Sequence, residues 1–146
     1  MENRRVTLVF EGRPLVQKNN NVIRRKKLKS GKVVPFVAHS DNLTQTRTRM
    51  SLDLFVQYRK LGFVEPIDYL CTATLVFYVP RKSEPDIDNL PGIVFDAMQG
   101  AAKNSLGKIL VDDKLVRQLN ITKLVEGDVR YYGEPRSEIT IEPWLE

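Results

Sequence analysis

The sequence has little of what would support a disulfide scaffold, a thiolate metal centre or a membrane span. Its 146 residues include one cysteine, Cys71, and one histidine, His39. A single cysteine cannot form an internal disulfide, and these two residues are too few for a Cys/His zinc site. No apolar run approaches the ~20 residues of a transmembrane helix, and charge interrupts residues 1–10 too early for a signal peptide. We therefore expect a soluble, cytoplasmic protein with no membrane association.

Positive charge is concentrated in one segment. Residues 12–40 contain eight basic and no acidic side chains, so the segment carries +8 while the whole chain carries +5. Such a segment predicts a polyanionic partner, usually nucleic acid, although a solvated basic loop is the alternative. No aromatic residue occurs over 13–32, which favours contact with phosphates over stacking on bases. The candidate DNA-binding residues are Lys18, Arg24, Arg25, Lys26, Lys27, Lys29 and Lys32, with Arg81 and Lys82 further along the chain.

The hydrophobic pattern predicts an α+β fold in the order β-β-α-β-α-β-β. The predicted strands cover 6–10, 33–38, 69–79, 116–124 and 137–144, and the predicted helices cover 40–61 and 88–98. Residues 19–32 are interpreted as a polar, basic connection, and Pro35 makes the strand around it an edge strand. Pro91 is tolerated only in a first helical turn, which favours a helix start at Asp88 or Asn89. We expect a mixed sheet covered by two main helices, in a single small domain over 1–146.

Two acidic clusters follow the strongest predicted strand. The first begins at Asp86 in the sequence DIDN, and the second is Asp112-Asp113, just before a predicted strand. Alternate side chains of an extended chain share a face, so Asp86 and Asp88 can point the same way. By the same argument only one of Asp112 and Asp113 should join them. Asp96, eight residues after Asp88, returns to roughly the same face of the predicted helix.

Carboxylates that converge need a cation. Two unit charges about 4 Å apart repel by about 4 kcal/mol at an effective dielectric near 20. Mg²⁺ prefers oxygen ligands and keeps several waters, so two or three aspartates suffice to hold it. Such an ion can activate water and neutralise charge on a phosphodiester. The structural alternatives are a helix N-cap at Asp88, a solvated turn at Asp112-Asp113 and an exposed helix acid at Asp96.

Together these motifs resemble the RusA family of Holliday-junction resolvases, which are phage- and prophage-associated endonucleases. The resemblance rests on PDIDNL at 85–90, an apolar helix that carries Asp96, and LVDDKLV at 110–116. It implies a small α+β homodimer that binds four-way DNA junctions and cuts symmetrically placed strands with Mg²⁺ or Mn²⁺. The implied catalytic and metal-binding acids are Asp86, Asp88 and Asp113, and the implied supporting residues are Asn89, Asp96 and Asp112.

The sequence departs from the family pattern at Gly92. The typical member has a lysine at this position, where it can contact the scissile phosphate; the candidate replacements here are Lys108, Lys114, Arg81 and Lys82. We expect a Mg²⁺-dependent endonuclease that resolves Holliday junctions in recombination and repair. The alternatives are a non-catalytic branched-DNA-binding protein of the same fold, which Gly92 favours, and a nuclease that prefers forks or flaps.

Overall fold

The computed structural model describes residues 4–15, 21–39, 41–82, 84–100 and 107–145. Within these ranges the predicted α+β class is confirmed. Two short 3₁₀ turns are present: Ile87–Asn89 lies one residue before a helix, and Asp113–Leu115 leads directly into a strand. The other elements, in chain order, are β1 (Val6–Glu11), β2 (Asn21–Lys27), β3 (Val33–His39), α1 (Asp41–Lys60), β4 (Cys71–Val79), α2 (Pro91–Met98), β5 (Val116–Val125) and β6 (Arg136–Pro143).

Four strands form a mixed sheet in the order β1-β6-β4-β5. Strand β6 pairs antiparallel with β1 and β4, and β4 pairs parallel with β5. The alternate residues Cys71, Ala73, Leu75 and Phe77 of β4 are buried, as the period of two requires when one face lies on the core. Strand β5 is an edge strand, and its residues 117–120 are exposed.

Both helices contribute buried apolar side chains to the hydrophobic core that they form with the sheet. The apolar side chains that recur at helical spacing along α1, Leu43, Met50, Leu54 and Tyr58, are buried. Leu61, at the predicted end of this helix, is 54% exposed because α1 ends one residue earlier. The buried residues of α2 are Ile93, Val94, Ala97 and Met98. Among the described residues, neither helix has the combination of length and hydropathy that a membrane span requires.

A side chain from α1 closes the outer edge of β1. The backbone N–H of Val9 donates to Gln57 Oε1 (3.0 Å), and Gln57 Nε2 donates to the Val9 carbonyl (2.7 Å). The amide of Gln57 therefore takes the place of a neighbouring strand at this position, and it satisfies backbone groups that an edge would leave unpaired.

The basic segment contains a strand where its composition predicted an irregular connection. Strand β2 pairs antiparallel with β3, from Asn21↔His39 to Lys27↔Val33, in a separate two-stranded sheet. We call residues 21–39 the basic hairpin. A run of arginine and lysine lacks the apolar alternation by which strands are recognised, but pairing with β3 still satisfies its backbone groups. Strand β3 has one partner, in agreement with the edge position predicted from Pro35.

Helix α2 begins later than the predicted start at Asp88 or Asn89. Residues Ile87–Asn89 form a 3₁₀ turn, and Leu90 is the N-cap residue of α2 without a side-chain cap. Pro91 takes the first helical position, where its missing N–H has no helical partner to lose. The interpretation of Asp88 as the helix N-cap is therefore wrong, and Asp88 and Asp96 do not share one continuous helix.

Candidate active site

The first acidic cluster lies on the segment that joins β4 to α2. Asp86 is extended, with φ −70° and ψ 143°, and its carbonyl accepts the N–H of Asn89 (3.1 Å) to form the 3₁₀ turn. Asp86 and Asp88 are both exposed. Among the residues that the structure describes, no hydrogen bond or ion pair engages either carboxylate. Both carboxylates can therefore accept a cation from solvent without giving up a described partner.

Lys123 holds the loop before Asp86 against β5. Its Nζ donates to Glu84 Oε2 (2.8 Å) and to the carbonyl of Pro85 (3.0 Å). Lys123 pairs in register with Phe77, which lies before the end of β4 at Val79. Because Lys123 also contacts Pro85, the chain must turn back after β4 to bring Pro85 to this level of the sheet. The 3₁₀ turn that follows also contacts β5. The first acidic cluster therefore lies alongside the strand into which the second cluster leads.

The two aspartates of the second cluster have different surroundings. Asp112 Oδ1 accepts the backbone N–H of Lys114 (2.9 Å) and caps the 3₁₀ turn. This N–H is the main cause that holds the pKa of Asp112 below its usual value, and the neighbouring side chain of Asp113 and the positive charges of Lys114 and Lys108 act in the same direction. Asp113 is the first residue of the turn and is exposed. Asp112 is thus committed to the turn, and Asp113 presents the more accessible carboxylate.

Backbone hydrogen bonds fix the chain that leads into the second cluster. The N–H groups of Ile109 and Leu110 both donate to the Met98 carbonyl at the end of α2 (2.8 and 3.0 Å). Ile67 donates to the Ile109 carbonyl (2.6 Å) and accepts from Val111 N–H (3.0 Å). Because Ile67, Ile109 and Leu110 are also buried, the approach to Asp112 is anchored from two sides.

The described residues contain no group of three or more His, Cys, Asp or Glu side chains that could hold a metal ion. That Asp86, Asp88 and Asp113 gather around one ion stays a prediction. The donor chemistry nevertheless fits a hard divalent cation, since exposed carboxylate oxygens are the ligands it prefers. Mg²⁺ is often bound by one or two carboxylates, with waters and substrate phosphates completing its shell. Asp86 and Asp88, two residues apart, can supply these two carboxylates.

Asp96 and Gly92 lie on α2. The carboxylate of Asp96 faces α1, with Oδ2 3.6 Å from Nη1 of Arg47, so this ion pair joins the two helices. Gly92 is exposed in the first turn of α2, so no side chain extends from the position where the family pattern has its lysine.

The four candidate replacement cations lie in different places. Lys108 and Lys114 act electrostatically on Asp112, which places both near the second acidic cluster. The guanidinium of Arg81 covers Gly127, in the turn after β5 and at the opposite end of that strand from Asp113. Lys82 is exposed in the turn after β4. The structure therefore favours Lys108 and Lys114 over Arg81 as partners of the second cluster.

The basic hairpin presents charge on both of its faces. Neighbouring residues of a strand point to opposite faces, so Arg25 and Lys27 share one face and Lys26 lies on the other. Lys18 and the side chain of Arg24 lie outside the described residues. The predicted DNA-binding residues that the structure shows exposed in this segment are Arg25, Lys26, Lys27, Lys29 and Lys32.

Two residues at this site were not predicted from the sequence, Lys123 and Gln99. A signal for Lys123 exists, because a lysine within the apolar run ITKLV of a strand needs a partner when it is buried. Gln99 Oε1 accepts the backbone N–H of Asp113 (3.2 Å). No pattern in the sequence indicates that contact, since the partner group is a backbone amide in a distant turn.

A comparison with protein-family models agrees with this architecture. No curated protein matches the sequence significantly. The family model for the endodeoxyribonuclease RusA matches residues 11–142 of the 146-residue chain. The match includes the basic hairpin, both helices and both acidic clusters. The chain therefore belongs to the RusA family of endodeoxyribonucleases.

Proposed function

We propose that this chain is a divalent-metal-dependent endonuclease that cuts four-way DNA junctions during recombination and repair. The observation that carries the proposal is the pair of exposed carboxylates of Asp86 and Asp88, which have no described partner and lie on a segment held against β5. Membership of a family of endodeoxyribonucleases supports nuclease chemistry at this pair. The basic hairpin supports a polyanionic substrate.

In this proposal Asp86, Asp88 and Asp113 hold Mg²⁺ or Mn²⁺. When bound, the ion supplies Lewis acidity at the phosphate and a water nucleophile near neutral pH. Asp112 maintains the turn that presents Asp113. In the same proposal Lys108 and Lys114, whose charges act on Asp112, stabilise negative charge that develops on the phosphate.

DNA recognition is assigned to the basic hairpin. Its exposed lysines and arginine contact phosphates, which orient a duplex without reading its sequence. Selectivity then comes from the shape of the junction. A two-fold homodimer would place two equivalent sites on two strands, which accounts for symmetric cutting. We place this activity in the cytoplasm of a bacterial host, as that of a phage- or prophage-encoded protein.

The test is cleavage of a labelled synthetic four-way junction in Mg²⁺, compared with a linear duplex of the same sequence. Asp88→Asn is expected to abolish cutting and to leave junction binding intact or stronger, because it removes a negative charge near phosphates. Asp68→Asn is the matched control, since this exposed aspartate lies outside both acidic clusters. Loss of binding together with cutting in Asp88→Asn would count against the assignment.

A second candidate function is junction binding without catalysis. The exposed Gly92 favours it, because no side chain extends from the position where the family pattern has its lysine. Tight binding of the junction with no cleavage in either Mg²⁺ or Mn²⁺ would select this alternative. A nuclease that prefers forks or flaps would be identified by competition, if those substrates were cut faster than the four-way junction.

A further inference from the structure

We propose that Lys123 is a positioning residue for the acidic segment, and that it sets the affinity of the site for its divalent ion. The inference rests on the proposed function, because it assigns Asp86 and Asp88 to the metal. Lys123 lies on β5, outside both acidic clusters, and its side chain is 19% exposed. It donates to the carboxylate of Glu84 and to the carbonyl of Pro85, the residue directly before Asp86.

These two contacts restrict the backbone on the approach to Asp86. The ring of Pro85 fixes its own φ and biases Glu84 towards an extended conformation. The hydrogen bond from Lys123 to the Pro85 carbonyl then orients the peptide plane between Pro85 and Asp86. Together they leave the chain little freedom at the point where the first proposed ligand begins.

The restraint on Pro85 comes from β5, and for this reason we expect it to affect the metal site as well as the loop. Strand β5 carries Lys123 near one end and follows directly from the turn of Asp113 at the other. The contact between Lys123 and Pro85 therefore connects the first acidic cluster to β5, the strand that begins directly after the second acidic cluster. Groups that orient ligands without binding the metal commonly change metal affinity or activity by about 10–100-fold when removed.

A purely structural ion pair makes a different prediction. A partly exposed pair such as Lys123–Glu84 adds little to stability on its own. If the ion pair were all that mattered, removal of Glu84 and removal of Lys123 would have the same effect. If orientation of the Pro85 carbonyl matters, Lys123 should matter far more than Glu84.

Three variants separate these cases. Lys123→Met keeps an unbranched side chain and removes the donors. Lys123→Arg restores a cationic donor, and Glu84→Gln removes the ion pair but leaves Lys123 free to donate to Pro85. Mn²⁺ binding to the protein without DNA is monitored through the paramagnetic resonance signal of free Mn²⁺. The other measurements are the Mn²⁺ concentration for half-maximal junction cleavage, the junction affinity in Ca²⁺ and the melting temperature.

We expect Lys123→Met to weaken Mn²⁺ binding and to raise the half-maximal Mn²⁺ concentration, each by about tenfold. Junction affinity in Ca²⁺ should change less than about twofold, since Lys123 is not part of the basic hairpin. Lys123→Arg should recover most of the loss, and Glu84→Gln should remain within about threefold of wild type. Unchanged Mn²⁺ binding in Lys123→Met, or equal losses in Lys123→Met and Glu84→Gln, would overturn the inference while leaving the proposed function intact. A wild-type protein that neither binds Mn²⁺ nor cuts junctions would overturn both.

Discussion

Gln99 and Asp113 are joined across the end of α2: the side-chain carbonyl of Gln99 accepts the backbone N–H of Asp113 at 3.2 Å. Gln99 Nε2 also donates to the Phe95 carbonyl within its own helix end (3.1 Å), which fixes the orientation of the amide. The turn of the second acidic cluster is therefore attached to α2 by a side chain as well as by the backbone bonds to Met98. This attachment explains how Asp113 is presented at the surface while Asp112 caps the turn.

The two aspartates of this turn should respond differently to the same substitution. Asp113→Asn is expected to reduce junction cleavage by about 100-fold or more, because it removes a proposed metal ligand that supplies several kcal/mol to the transition state. Asp112→Asn should stay much closer to wild type, since the side-chain oxygen of asparagine can still accept the Lys114 N–H and cap the turn. Rates of junction cleavage at saturating Mg²⁺ measure the difference. A larger loss in Asp112→Asn than in Asp113→Asn would reverse the assignment.

The basic hairpin should determine the salt dependence of DNA binding. If about six of the eight basic residues in 12–40 meet phosphates, the slope of log affinity against log salt is about −5. Lys26→Gln and Lys27→Gln alter opposite faces of the hairpin, and each is expected to reduce the slope by about 1. Lys60→Gln, in the last turn of α1, is the control and should leave the slope unchanged. Equal slopes for all four proteins would exclude the hairpin from the interface.

Gln57 should stabilise the fold through the edge of β1. Gln57→Leu is expected to lower the free energy of unfolding by about 1–3 kcal/mol, because it leaves the N–H and carbonyl of Val9 without their partner. Gln45→Leu, at an exposed position of the same helix, should change stability by less than about 0.5 kcal/mol. Urea unfolding followed by circular dichroism provides both values. Equal effects of the two substitutions would show that the edge contact contributes nothing.

The raised pKa of Tyr58 predicts a loss of stability in alkaline solution. Burial, followed by the charges of Tyr69, Asp68 and Glu65, raises the pKa of Tyr58 from 10.0 to about 12. Because the pKa is higher in the folded than in the unfolded state, this contribution is complete below pH 10 and is lost as the pH rises to about 12. The free energy of unfolding, measured by urea titration across this range, should fall less steeply in Tyr58→Phe than in wild type.

At neutral pH, Tyr58→Phe removes the hydrogen bond from the Tyr58 hydroxyl to the Glu65 carbonyl. This loss should lower the free energy of unfolding by about 1 kcal/mol. A decline with pH in Tyr58→Phe as steep as in wild type would show that Tyr58 does not carry the effect.

The elements predicted best from sequence are those whose hydrophobic pattern depends on burial. Strand β5 begins at the predicted Val116, and α1 ends one residue before the predicted Leu61. Strand β2 could not be predicted because its side chains are largely basic and its stability comes from pairing with β3. The start of α2 was misplaced because Pro91 is compatible with several positions in a first turn, and only the 3₁₀ turn before it decides between them.

The same distinction applies to the candidate site. The acidic clusters are continuous in sequence and could be identified directly. Lys123 and Gln99 act on these clusters through backbone groups at the ends of distant elements, so their roles depend on the parallel pairing of β4 with β5 and on the end of α2. Local spacing contains no information about either arrangement.

The position of β6 has a consequence for how the protein is made. This strand follows every other described element along the chain, yet it lies between β1 and β4 in the sheet. During translation, β1 therefore leaves the ribosome without a strand to pair with and must wait until residues 136–143 have been synthesised. Until then the backbone edges of β1 and β4 that pair with β6 stay unpaired, so nascent chains should depend on chaperones until synthesis passes β6.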